Sequence, residues 1–234
     1  MWRALALGLN LGEEPISAAR SNVQYRLGEI YKELGQYAQA EQLYRQSLAT
    51  AEALGDRHGV AVTQRALAEL YWLRGDYTQA EQLYHQSLAA LAALGDRREV
   101  AVTQHALAEL YRLRGDYTQA EQLYRQSLAT AEALGDQRGV AVTQHALADL
   151  YRLREDYAQA EQLYHQSLAA LEAQGDRREV AVTLYNLALL CAEQARFAEA
   201  VELLTKSRDL FRQIGLEKDA SEADASLAAL TAEL

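Results

Sequence analysis

The chain has little of what staples, breaks or anchors a fold. One cysteine in 234 residues excludes a disulfide framework and a cysteine-ligated metal site. Cys191 alone reads as a small core residue in a reducing compartment. One proline leaves long helices unbroken. No apolar run is long enough to span a bilayer, so no membrane partner is expected. Basic excess is missing too: 23 Lys and Arg face 33 Asp and Glu, a formal net charge of −10. An acidic chain repels phosphate backbones, so nucleic acid is not expected as a partner. No phosphate-cradling loop and no nucleophile elbow occurs. The sequence therefore assigns no catalytic residue, no cofactor and no metal, and the chain is read as a non-enzyme. Met1 to Leu11 sets Arg3 ahead of a short apolar run. It shows no small-residue cleavage site and passes straight into Glu13-Glu14-Pro15, so a cytoplasmic location is expected.

What the chain has in abundance is one text, repeated. Val60, Val100, Val140 and Val180 stand forty residues apart, and the segment from Val100 to Gly139 recurs on either side with few substitutions. A fixed period in this range is the mark of a solenoid. The repeats run over residues 20–59, 60–99, 100–139, 140–179 and 180–219 of a single domain, 1–234. Residues 1–12 align with the end of a repeat and read as a half-repeat or N-terminal helix. Residues 218–234 place Leu227 and Leu230 on the grid of Leu187 and Leu190 and read as a C-terminal capping helix.

Each repeat reads as two helices. In the copy from Val60, residues Val62, Ala66, Leu67, Leu70, Tyr71 and Leu73 follow the three- and four-residue spacing of an amphipathic helix. Gly75-Asp76 interrupts it. The second helix, about 77 to 94, carries Tyr77, Ala80, Leu83, Tyr84, Ser87, Leu88 and Leu91, and Gly95-Asp96 ends it. Asp76 with Gln79, Asp96 with Glu99 and Asp176 with Glu179 have the spacing of capping boxes. Glu155 replaces the turn glycine of the fourth copy, at a cost on the order of 1 kcal/mol if the turn needs positive φ. All fourteen tyrosines fall into four recurring slots, a distribution expected of core and inter-helix packing.

Leu27-Gly28-x-x-Tyr31 followed by Ala40-x-x-x-Tyr44 resembles the tetratricopeptide repeat. The other copies read Leu67-Ala68…Tyr71…Ala80…Tyr84, Leu107-Ala108…Tyr111…Ala120…Tyr124 and Leu147-Ala148…Tyr151…Ala160…Tyr164. The forty-residue period, with Gln24, Gln64, Gln104 and Gln144 where the usual tryptophan would stand, looks like the long-repeat subclass of kinesin light chains and bacterial signalling regulators. The resemblance implies an all-α, right-handed superhelical solenoid of antiparallel helix pairs. Its first helices would line a concave groove holding a peptide or a partner helix.

On that implied geometry the groove displays Arg65, His105 and His145, then Glu69, Glu109 and Asp149, then Trp72, Arg112 and Arg152. Arg65–Glu69, Glu109–Arg112 and Asp149–Arg152 have the spacing of intrahelical ion pairs. The plain alternative is a solvated polar face that neutralises itself. The clamp some family members use on a C-terminal carboxylate is missing: at the position of its asparagine only Asn186 matches. His105…Glu109 and His145…Asp149 have a spacing that can share a metal, but any polar helical face produces it. The resemblance thus points to a non-catalytic protein–protein interaction scaffold, its partner a protein or peptide. The alternatives are a self-assembling module, stacked end to end, and a sensor fragment of a larger bacterial regulator.

Overall fold

The structure, a computed structural model, describes residues 17–231. The half-repeat expected over residues 1–12 and the last three residues of the expected capping helix lie outside them. Among the described residues there are eleven helices and no strand. They are α1 (Ala18–Glu33), α2 (Tyr37–Leu54), α3 (Arg57–Leu73), α4 (Tyr77–Leu94), α5 (Arg97–Leu113), α6 (Tyr117–Leu134), α7 (Gln137–Leu153), α8 (Tyr157–Gln174), α9 (Arg177–Glu193), α10 (Phe197–Gln213) and α11 (Glu217–Thr231). Two compact units divide within α5, Met1–Thr103 and Gln104–Leu234.

Inside each unit, helices consecutive in sequence pack together: α1 on α2 and α3 on α4 in the first, α7 on α8 and α9 on α10 in the second. Turns of two or three residues force each pair antiparallel. The turns obey the expected chemistry. At Gly95 (φ 70) the glycine N–H bonds Ala92 O at 3.1 Å, and Asp96 N–H reaches back to Leu91 O at 3.1 Å. This closes the helix in a left-handed glycine cap. Glu155 and Ala195 hold the same left-handed turn without glycine, at φ 62 and 58.

The capping boxes are only half made. Asp96 and Asp176 accept from the N–H of Glu99 and Glu179 at 3.2 and 3.3 Å. The return bond is blocked because the backbone N–H of each Asp already closes the preceding helix, on Leu91 O and Leu171 O. Glu99 is thereby free to accept from Arg65 instead.

Small residues set the helix spacing. Ala40, Ala68, Ala80, Ala148, Ala160 and Ala200 are fully buried. Gly28 takes the alanine slot in the first copy, where a Cβ would come within 2.6 Å of the Tyr44 ring. Ser167 and Ser207 donate to the carbonyls of Ala141 and Ala181 at 2.8 Å, so their hydroxyls are satisfied in the core. Tyr44, Tyr84, Tyr124 and Tyr164 are buried, as are Tyr71, Tyr111 and Tyr151. The slot of Tyr37, Tyr77, Tyr117 and Tyr157 departs from the packing expectation. These rings open the second helices and stand half-buried or, for Tyr77, exposed. Cys191 is fully buried in a tyrosine slot, and burial pushes its thiol up to about 11. At the C-terminal end of the described chain, Leu227 packs with Ala188 and Leu204, and Ala220 with Ala181 and Phe211.

Candidate functional site: the polar face of the first helices

The nine residues singled out from the sequence all lie on first helices, α3, α5 and α7, and all are half-buried. None is a freely solvated charge. In the first unit they form an alternating chain of charge. Lys32 of α1 bonds Glu29 at 3.1 Å and Glu69 of α3 at 2.9 Å. Arg65 bonds the other oxygen of Glu69 at 2.9 Å and Glu99 of α5 at 3.0 Å. One ionic thread thus runs through three successive first helices. Trp72 stands one turn beyond Glu69, and its indole N–H is buried with no acceptor. Between α1 and α3 lies a cleft of about 270 Å³, lined among others by Asn22, Tyr25, Arg26, His58 and Val62. That is room for one or two side chains, below the usual size of a small-molecule pocket.

In the second unit the thread is built from hydrogen bonds as much as charge. Arg112 holds Glu109 through Nη2 at 2.8 Å and Nε at 3.1 Å. His105 lies edge-on to Tyr124, centroids 5.3 Å apart, with Nδ1 3.4 Å from the Thr143 hydroxyl. His145 repeats the arrangement on Tyr164 at 5.5 Å and meets Thr183 at 3.0 Å. Thr183 donates its own proton to Glu179 O at 2.8 Å, so it accepts from His145 Nδ1–H. Asn186 donates to His145 Nε2 at 3.0 Å and to Asp149 at 3.2 Å. The ring thus donates through Nδ1 and accepts through Nε2. Arg152 reaches the next first helix, bonding Glu193 at 2.5 Å.

Two of the three expected intrahelical pairs, Arg65–Glu69 and Glu109–Arg112, therefore form as bonds of 2.9 and 2.8 Å. Asp149 is held by other partners, Asn186 and Tyr164. Asn186, the one match to the carboxylate-gripping position, spends its amide inside the protein. The sequence reading missed what lies beneath the ladder. Tyr44, Tyr124 and Tyr164 donate their phenols to Glu29, Glu109 and Asp149. Burial, reinforced by these carboxylates, pushes each phenol far above its ordinary value. The available signal was a constant fifteen-residue separation between acid and tyrosine. Burial pushes His105 down, with Glu109 opposing and His145 and Arg112 adding to the shift. Among the described residues no group of three or more His, Cys, Asp or Glu could hold a metal. None of their helices is long and apolar enough to cross a membrane.

A second polar cluster ties neighbouring repeats on the side of the second helices. Tyr71 donates to Glu41 at 2.9 Å and accepts from Arg45 at 2.8 Å, while Arg74 bonds Glu41 at 2.5 Å. Tyr151, Glu121, Arg125 and Arg154 copy it at 2.5 to 2.7 Å. At Cys191, which has no phenol, Arg196 grips Glu161 with two bonds of 2.9 Å instead.

Antiparallel helix pairs in forty-residue register, spaced by alanine and joined by polar clasps, define a helical repeat protein. A tetratricopeptide repeat model matches residues 19–93, 67–133, 99–173 and 139–213, and the chain belongs to that family. No curated protein sequence matches. Among solved structures it is similar to BtubC (BKLC) from P. vanneervenii, with 23% identity, 91% of this chain and 86% of that one covered, and a TM-score of 0.75. It is similar to the kinesin-light-chain-type, nearly identical TPR-like repeats from Podosopora anserina: 24% identity, 85% and 98% covered, TM-score 0.67. It also resembles a Rap protein complexed with Competence and Sporulation Factor: 14% identity, 99% and 68% covered, TM-score 0.71. At these identities the likeness is one of fold.

Proposed function

We propose that this chain is a non-catalytic scaffold that holds a peptide or helix of a partner protein against its first helices. The observation that carries the reading is the prepared state of that face. Arg65, Glu69, Glu109, Arg112, Asp149 and Arg152 are each fixed by a partner while remaining partly open to solvent. Side chains already ordered lose little entropy when a ligand arrives. Trp72 supplies a half-buried aromatic anchor of the kind that dominates interface energetics. His105 and His145 serve as spacers that set the repeat-to-repeat distance under the ladder. The Rap protein bound to Competence and Sporulation Factor supports the reading by analogy of fold.

The test uses the whole chain immobilised against host lysate, beside variants that leave the inter-repeat thread standing. Trp72→Ala and Arg112→Gln together alter the face, and Lys206→Gln on α10 serves as a control. A partner bound by the unaltered chain and the control, and lost by the double variant at equal helicity, supports the proposal. Equal capture by all three overturns it.

A further inference from the structure

Helix α1 and its C-cap residue Leu34 carry an apolar stripe that nothing described covers: Val23, Leu27, Ile30 and Leu34 are 54, 39, 51 and 63% exposed. One repeat on, Leu67 and Leu70, the equivalents of Leu27 and Ile30, are 3 and 0% exposed. The other faces of α1 are occupied. Ser21 bonds Ser47 of α2, Gly28 lies against Tyr44, and Lys32 reaches Glu69 of α3. Among the described residues the stripe thus forms an end face of the first unit, and Leu27 and Ile30 stand there in positions that are covered one repeat on.

The sequence of this face says what fits it. Spacings of four, three and four residues make a two-turn seam of the coiled-coil kind. Two copies of α1 laid antiparallel would set Leu27 over Ile30 of the second copy and Val23 over Leu34. Along one flank of the seam stand Arg26 and Glu33, both exposed. In the same antiparallel register Arg26 faces Glu33 of the second copy, and the symmetry makes that pair twice. A parallel register would set Arg26 beside Arg26 and Glu33 beside Glu33. The face is therefore complementary to itself in shape and in charge, in one orientation. The far end offers no match. Among the described residues of α11 no large apolar side chain stands exposed, and Ser221, Glu222, Ala225 and Ala228 make its outer side small and polar.

We infer that this chain forms a head-to-head homodimer through α1, closed by a two-fold axis across the Leu27–Ile30 layer. An isologous contact of this kind ends at the dimer and does not propagate into fibres. A single helix pair lies at the small end of specific interfaces, so dissociation falls in the range of ~1–100 μM.

Sedimentation velocity on the full chain from ~1 to ~300 μM tests the inference across that range. The expected result is a monomer–dimer equilibrium. Ile30→Glu with Leu34→Glu should abolish it without loss of helicity, since both side chains are exposed. Arg26→Glu should weaken association at least tenfold, and Arg26→Glu with Glu33→Arg should restore it. A mixture of Val23→Cys and Leu34→Cys chains should form mixed disulfide dimers on oxidation. A chain that stays monomeric throughout, whether because residues 1–16 cover the stripe or because a different protein does, overturns the inference. So does a dimer that survives Ile30→Glu with Leu34→Glu, or a charge swap that fails to restore association.

Discussion

Glu155 and Ala195 occupy left-handed turns at φ 62 and 58, where Gly75 and Gly115 stand at φ 81 and 80 in the equivalent places. A Cβ there crowds the following carbonyl. Glu155→Gly and Ala195→Gly should each raise unfolding free energy by ~1 kcal/mol, read from urea denaturation midpoints at constant m-value. The glycines have open space around their absent Cβ, so the gain comes from backbone conformation and not from relieved contact. His105 is the third residue with a measurable signature. Burial holds its folded value below the 6.5 of a free imidazole. Between the two values the unfolded chain binds the extra proton and the folded chain does not. Its contribution is therefore complete above pH ~6.5 and is lost as the pH falls below it. His105→Phe keeps the ring against Tyr124 and removes the proton. The slope of unfolding free energy between pH 7 and 5 should flatten in that variant. The half-buried carboxylate of Glu41 acts lower. Burial pushes Glu41 up, but the bonds from Tyr71 and Arg74 outweigh it and hold the group below its ordinary 4.5. Its share of stability is lost only as the pH falls below that value.

At the scale of helices, the phenols of Tyr44, Tyr124 and Tyr164 join the two helices of one repeat, while Lys32–Glu69, Arg65–Glu99 and His145–Thr183 join successive repeats. Removing the phenol alone takes one of two hydrogen-bond partners from a half-buried acid. Tyr164→Phe should destabilise by ~1–3 kcal/mol. Asp149→Ala should then cost less in the Tyr164→Phe background than alone, with a coupling of ~0.5–3 kcal/mol in a double-mutant cycle. This layer marks where the sequence stopped being legible. Helix pairing followed from Ala68, Ala80, Tyr71 and Tyr84, because spacing decides which faces approach. The rings of Tyr44, Tyr84, Tyr124 and Tyr164 lie in the core as their slot predicts, but a ring's burial does not reveal where its hydroxyl emerges. Only the packed geometry puts the Tyr124 oxygen on Glu109. The same holds for the caps. Asp96 and Glu99 have the spacing of a reciprocal box, yet Asp96 N–H is committed to the helix before it. Local spacing cannot register a claim made by a neighbouring element. The nine face residues were legible as a face; their mutual partners, Lys32, Glu99, Thr143, Asn186 and Glu193, lie on other helices and were not.

Over the whole molecule, each described contact between elements joins helices adjacent in sequence or first helices of successive repeats, such as α1 with α3 and α7 with α9. Stability in such an array is a sum of local terms and nearest-neighbour interfaces, so damage should stay local. Leu227 offers a clean test, because it holds α11 onto Ala188 and Leu204 through apolar contact. Leu227→Asp forces a carboxylate into that contact, at a cost that exceeds what one terminal helix retains. Hydrogen exchange should show α11 losing protection outright and α9 and α10 losing part of theirs. The backbone of α1 to α4 should exchange as before, since none of its contacts involves the altered interface. Loss of protection spreading evenly through both units would mean that the repeats fold as one cooperative body, and that the nearest-neighbour account of this chain is wrong.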